Sequence, residues 1–283
     1  MTIGTSNHEH EIVKEVSAKP PSINWTTPYN PEFAEFAFDF ASAAYAKNPK
    51  MCATKNNASI VKIDKIPCDY FRDEQYPNHK FLFTGHSLGG AISSLASTLF
   101  AYENADLSGF DSRKDVHLIT FGQPRVGNKE YALAHDLLVP NSWRMVHRFD
   151  IVAHLPYCYE DIHRQCTTFL NHGPFHHGTE IWYPKTMNST QSIYKICRGA
   201  PINEDKRCSN SYYIHYDIND HLFYFEKDVD FYGNNDCRAN ATMPPLVGLA
   251  PDIAPELSYS DEDTSNQTKK YWPRRHRKHN KRH

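Results

Sequence analysis

Thr84-Gly85-His86-Ser87-Leu88-Gly89-Gly90 contains the spacing Gly-x-Ser-x-Gly. A serine hydroxyl can act as a nucleophile when it stands clear of the chain beside a base. A sharp strand-to-helix turn achieves this by holding the serine in strained φ/ψ. Gly85 and Gly89 are expected where a Cβ would strike the neighbouring strand or helix. The N–H groups opening the following helix, led by that of Leu88, point to where an oxyanion would form. The pattern alone recurs by chance, and a tight glycine turn with an idle serine is the bland alternative. Here an apolar run, Phe81-Leu82-Phe83-Thr84, precedes it. A stretch rich in small residues (Gly90, Ala91, Ser93, Ser94, Ala96) follows. That is the context the chemistry requires.

Such a serine needs a base and an acid, supplied in the order Ser, Asp/Glu, His. The acid should lie just past a strand, and Asp150 ends the apolar run from Trp143 to Phe149. Asp136 sits within a helical pattern, and Asp111 and Asp115 lie in a polar loop, so they compete poorly. Seventeen histidines are candidates for the base. His163, His172, His176 and His177 cluster before a strand, but their spacing matches no metal motif. His177 opens a strand, where its ring would be held in the sheet. His221 follows Asn219-Asp220, a turn and helix-start signal, and a histidine on a loop tip could reach both Ser87 and Asp150. His221 is therefore the first choice and His177 a distant second. No metal or organic cofactor is required.

The elements that must position these groups follow from periodicity. Asn30-Pro31 starts a helix, with Phe33, Phe36, Ala37, Phe40 and Ala44 as its buried stripe and an end near Asn48-Pro49. Between 50 and 79 the pattern is poor, and only Ser59–Ile63 resembles a strand. Phe81–Thr84 is a strand and Leu88–Tyr102 a helix. Val116–Phe121 (strand), Lys129–Leu138 (helix), Trp143–Phe149 (strand) and Thr179–Tyr183 (strand) complete a β-α-β-α-β alternation. This is the signature of a mainly parallel sheet flanked by helices, an α/β fold. Residues 1–29 read as a disordered N-terminal segment, 30–245 as the folded domain and 246–283 as a disordered acidic-then-basic tail.

The 283 residues are 40% hydrophobic and 23% charged, with mean hydropathy −0.66, a soluble globular composition without a membrane span. Eight of the 31 Lys/Arg, but none of the 33 Asp/Glu, lie in 269–283, leaving a body of net charge −10. An acidic body argues against nucleic acid as a partner. Seven cysteines show no C-x-x-C pair, and N-x-S/T sequons stand at Asn24, Asn57, Asn188, Asn240 and Asn266. Together they point to an oxidising, glycosylating compartment. Met1–Lys19 has no apolar core of a signal peptide, so the natural start is expected upstream. Cys158 and Cys166 are eight apart and Cys197 and Cys208 eleven apart. Both spacings permit local bridges, with Cys237 joined to Cys52 or Cys68.

Around this framework the chain resembles the fungal-type class 3 lipases of the α/β-hydrolase fold. Beyond the 84–90 motif, Ile119–Asn128 looks like the family's strand and turn after the elbow helix, and Asp150–Pro156 like its acid turn. His177–Tyr183 looks like the last core strand, and Asp220–Tyr224 like the histidine turn. The cysteines give it the flavour of the secreted animal branch. The resemblance implies hydrolysis of carboxylic esters in lipids, with Ser87 as nucleophile, His221 as base, Asp150 as orienting acid and Leu88 N–H in the oxyanion hole. Its partners would be a lipid or other ester substrate and a lipid interface. The family also carries two further strands, an F-R-G-[ST]-type oxyanion loop and a lid before the elbow. Between Tyr45 and Tyr76 this chain has only the poor echo Phe71-Arg72-Asp73, so part of the N-terminal sheet and the lid are expected to be missing. A catalytically impaired lipase-like binding protein is therefore the alternative, and a peptidase has little behind it.

Overall fold

A computed structural model of the chain describes residues 29–58, 60, 79–163, 165–167, 173–211 and 216–238. Residues 1–28 and 246–283, the Ser59–Ile63 strand apart from Ile60, and Phe71-Arg72-Asp73 lie outside the described residues. Tyr29, expected at the end of the disordered segment, is instead buried, its hydroxyl 2.8 Å from that of Tyr183.

Helix α1 (Pro31–Ala43) begins as its sequence dictates: the Asn30 side chain accepts from Phe33 N–H at 2.8 Å and proline occupies the first turn. Its buried face is rotated from the expected stripe. Phe33 and Ala37 are buried, but so are Ala34, Phe38 and Ala41, whereas Phe36 and Phe40 are half-buried and Ala44 is exposed. Phe38 decides the rotation, because its ring meets Phe121, Tyr224, Phe225 and Tyr232 at centroid distances of 5.2–6.2 Å. The helix also stops earlier than expected. Asn48-Pro49 caps a second helix, α2 (Pro49–Lys55), with the Asn48 side chain accepting from Lys50 N–H.

Strands β1 (Phe81–His86), β2 (Val116–Phe121), β3 (Asn141–His147) and β6 (Thr179–Tyr183) run parallel in that spatial order. The short β7 (Lys195–Ile196) adds antiparallel to β6. Helix α3 (Leu88–Glu103) joins β1 to β2, and α5 (Lys129–Leu138) joins β2 to β3. Such crossovers are what parallel neighbours require. A one-turn helix, α4 (Ser112–Asp115), precedes β2. The central strands β2 and β3 are buried throughout, whereas Phe81–Thr84 of β1 is half-buried. Among the described residues β1 is the edge of the sheet. Strand β3 occupies Asn141–His147 rather than Trp143–Phe149, so Asp150 lies beyond the strand in a turn. Two small antiparallel pairs are β4 (Tyr159–Glu160) with β5 (Cys166–Thr167), and β8 (Phe223–Tyr224) with β9 (Lys227–Asp228); the second lies between the short α6 (Asn219–Leu222) and α7 (Val229–Asn234).

Helix α3 is turned inside out over its first half. Its polar side chains face inward: Ser94 Oγ meets Tyr131 Oη and His177 Nε2, and Thr98 Oγ1 meets His135 Nδ1. Leu88, Ile92 and Leu95 are 66, 52 and 49% exposed. Farther along, Phe100 turns inward against Phe81, Phe83 and Phe110.

Among the described residues three disulfides form: Cys52–Cys237 within the main core, Cys158–Cys166, and the buried Cys197–Cys208. Cys52 is thus the partner of Cys237, and Cys68 lies outside the described residues. Beneath the acid turn, Arg125 is paired in a fork with Glu204, Nε and Nη2 reaching its two oxygens at 2.8 and 2.9 Å. Burial pushes the Glu204 carboxyl up. Arg125, His176 and the Asn210 amide more than reverse this and hold it well below its ordinary value of 4.5. A depressed folded pKa contributes stability that is present above about pH 4.5 and lost as the pH falls. Glu204→Gln should therefore cost about 3–5 kcal/mol at pH 7, because it strands a buried guanidinium. The difference from the parent should shrink below about pH 4. Urea unfolding at pH 7 and pH 3.5 reads both, and a difference of equal size at the two values would contradict the assignment.

Candidate active site

The elbow is formed as its glycines suggest, with one exception. Ser87 takes φ 56° and ψ −128° at the junction of β1 and α3. This positive φ is costly for a side chain with a Cβ. The Ser87 N–H donates to the Phe121 carbonyl at 2.9 Å, which ties the elbow to the end of β2. A Cβ on Gly85 would lie 2.4 Å from the Gly89 carbonyl oxygen, so glycine is required there. At Gly89 a Cβ would meet nothing within 4 Å. The close approach is made by the backbone of 89–90 to residue 85, and Gly89 itself is not sterically required. Leu88 opens α3, where the first N–H groups have no acceptor within the helix.

Asp150 and His221, 71 residues apart in sequence, are brought together by a bridge between Asp150 and Asp217. His221 Nδ1 lies 2.9 Å from Asp150 Oδ2, and both side chains are buried. Asp150 Oδ1 accepts from Val152 N–H at 2.8 Å, and the Tyr224 hydroxyl donates to Oδ2 at 3.3 Å. The carboxylate is thus held from three sides, which fixes the ring it faces. His221 sits inside α6 rather than on an exposed loop tip. Its turn is secured by Asp217 N–H to Phe149 O and by Asp220 Oδ2 accepting from Phe149 N–H. Burial pushes the Asp220 carboxyl up to about 6, opposed by the Phe149 N–H and Arg148. No hydrogen bond joins Ser87 to His221 in this structure, and unliganded sites are often loose at this step.

Several residues escaped the sequence reasoning. Gly122, directly after β2, has φ 57°, and a Cβ there would lie 2.5 Å from both Asp150 Oδ2 and His221 Nδ1. The signal was a glycine closing an apolar strand. Arg148 takes φ 43° in the turn before Asp150, and its carbonyl accepts from Trp182 Nε1 at 3.0 Å. His86, the residue before the serine, stacks on His221. Burial, then the charge of His221, lower its pKa to about 4.

His177 is fully buried, with Nε2 within 2.7 Å of Ser94 Oγ and 3.0 Å of the Gln123 amide, away from Asp150. Burial and then His135 lower its pKa well below the ordinary value. His176 bonds the Ala153 carbonyl, His163 is exposed and His172 lies outside the described residues. His135, Asp136 and His177 place ligand-type atoms within 4.8 Å of one another. Most of those atoms are engaged: both nitrogens of His135 by Thr98 and Ser142, His177 Nε2 by Ser94 and Gln123, and Asp136 by Gly178 N–H and the Asn203 amide, while His177 Nδ1 is buried without a hydrogen-bond partner. A second group, Glu180 with Cys197 and Cys208, uses the sulfurs of a disulfide. Among the described residues no helix is long and apolar enough to cross a membrane.

A strained serine between a parallel strand and a helix, with a buried Asp–His pair beyond later strands, defines an α/β-hydrolase arrangement. Residues 72–160 match the class 3 lipases. The chain is 36% identical over 188 residues to a lipase of Caenorhabditis elegans, covering 60% of this chain and 52% of that protein. It is 31% identical over 206 residues to a lipase of Rhizopus niveus, covering 71% of this chain and 46% of that one. A solved triacylglycerol lipase, described as having a serine protease triad as its catalytic centre, is 32% identical with a TM-score of 0.45, over 56% of this chain and 51% of that one. These similarities support a class 3 lipase family for the chain. It spans about half the length of the curated relatives it matches.

Proposed function

We propose that this chain hydrolyses carboxylic ester bonds of lipids through Ser87. The observation that carries this reading is the buried His221–Asp150 pair, 2.9 Å apart, at the end of the same sheet that presents Ser87 in its strained turn. His221 takes the Ser87 hydroxyl proton as the oxygen attacks the ester carbonyl. Asp150 keeps the proton on Nδ1 and supports the imidazolium that forms. The alcohol leaves with the proton from His221, and water then cleaves the acyl-enzyme by the same route in reverse. Leu88 N–H stabilises the oxyanion. A second donor contributes on the order of 10²–10³ in turnover where present. The lipase relatives and the apolar residues around the elbow support a lipid ester over other esters. Three disulfides and the exposed sequon residues Asn57 and Asn188 support maturation in an oxidising, glycosylating compartment and a secreted destination.

A fluorophosphonate probe tests the reading, because phosphonylation needs an activated serine. Peptide mapping should find the label on Ser87, and emulsified triacylglycerol and short nitrophenyl esters should be turned over. Lipid binding without labelling would favour the second reading, a lipase-like protein that holds lipid without cleaving it. The feature on that side is the poor match of Phe71-Arg72-Asp73 to an oxyanion-donor loop.

A further inference from the structure

His86 occupies a variable position of the Gly-x-Ser-x-Gly spacing, yet it is buried and bonded at both ring nitrogens. Its Nε2 lies 2.8 Å from the His221 backbone carbonyl and its Nδ1 lies 2.7 Å from the Tyr45 hydroxyl. A carbonyl can only accept, so Nε2 carries the proton and Nδ1 accepts from Tyr45. The His86 ring is 4.4 Å from the His221 ring, centroid to centroid, at an interplanar angle of 36°. Asp150 therefore holds the edge of His221, while His86 holds its face and its backbone.

We propose that Tyr45 and His86 form a positioning relay for His221, fixing the base from the end of α1 through the residue that precedes the nucleophile. The relay rests on the hydrolytic reading of Ser87, His221 and Asp150. It adds a polar link between the end of α1 and α6, whose neighbouring residues Tyr224 and Phe225 already pack on Phe38 of α1. Tyr45 is itself seated by Gly233 of α7, where a Cβ would lie 2.9 Å from the Tyr45 Cβ and 2.1 Å from the Ser42 carbonyl oxygen. The charge state is consistent with this role. His86 stays neutral down to about pH 4 because it is buried and because His221 lies beside it. A cation there would oppose the imidazolium that forms on His221. The surrounding ionisable groups are Asp150, Tyr224, His147, and Asp220 with its partner Arg148. Asp228 and Asp230 act on the Tyr45 side.

Three variants test the relay. Tyr45→Phe removes one hydroxyl and keeps the ring, His86→Phe keeps a ring over His221 and removes both hydrogen bonds, and the third combines them. Each single change should lower kcat and the fluorophosphonate reaction rate about tenfold, with KM within about twofold of the parent. Because the two groups act in series, the double variant should be no slower than His86→Phe alone. The second measurement does not depend on ester turnover. The downfield proton resonance of His221 Nδ1–H should exchange with solvent about tenfold faster in both single variants. A parent that turns over no ester would sink the hydrolytic reading while leaving this measurement to judge the relay. Unchanged exchange in a folded His86→Phe protein, or single effects that multiply in the double variant, would overturn it.

Discussion

Ser87→Ala should lower ester turnover by a factor on the order of 10⁶, the loss seen when a triad nucleophile is removed. The reaction has no other route through the site, because His221 and Asp150 act only on the proton that Ser87 supplies. Stability should move little. The serine side chain makes no capping hydrogen bond, and alanine inherits the same positive φ and the same strain. A shift within about 0.5 kcal/mol is the expectation for such a change. Turnover of nitrophenyl acetate, together with a thermal melt, separates the two effects. An alanine variant that hydrolyses the ester as fast as the parent would refute Ser87 as nucleophile.

Gly122→Ala should be the most damaging change outside the three catalytic side chains. Two penalties coincide. The backbone at φ 57° costs an alanine about 1–2 kcal/mol. The new methyl group would also stand 2.5 Å from both Asp150 Oδ2 and His221 Nδ1, the two atoms whose bond defines the site. The carboxylate is pinned by Val152 N–H and Tyr224, so the imidazole must give way. Loss of its correct orientation should lower kcat on the order of 10³–10⁴. Gly89→Ala is the control, since nothing lies within 4 Å of its added Cβ. On an exposed first turn that change should leave turnover within about threefold of the parent and gain up to about 1 kcal/mol of stability. A Gly122→Ala enzyme within tenfold of the parent would show that the turn can flex away from the pair.

The parts of the fold legible in the sequence were those written by local chemistry. Asn30-Pro31 opens α1, and β2, α5 and β6 have the bounds their apolar runs suggested. Asp150 and His221 were singled out by turn signals beside them, and the fold brings their side chains within 2.9 Å although His221 lies inside α6. Misreadings arose where distant residues decide. The α1 stripe through Phe36 and Phe40 was a valid helical pattern. Phe38 is the buried residue because Phe121 and the aromatic residues 224–232 supply its pocket, and local spacing cannot show a partner nearly 190 residues away. Asn48-Pro49 teaches a different lesson. It carries the same cap-and-proline signal as Asn30-Pro31, and like that pair it opens a helix, α2, rather than ending α1. Gly122 and His86 were inside quoted motifs, yet their roles exist only once Asp150 and His221 have been folded against them.

The reversed polarity of α3 has a consequence for the order in which the molecule assembles. Hydrophobic collapse gathers a helix by its apolar face, and over its first half that face of α3 is Leu88, Ile92 and Leu95, which ends up outside. What seats this half is a set of directional bonds: Ser93 to the Thr84 carbonyl, Ser94 to Tyr131 and His177, and Thr98 to His135. Those partners belong to β1, α5 and the segment entering β6, so three separate elements must be aligned for all of these bonds to form. Phe100 can dock early, against Phe81 and Phe83, because its contact is apolar and needs no alignment of donors. The strained turn that carries the nucleophile is thus held by a lattice of hydroxyls and imidazoles rather than by the oily interior.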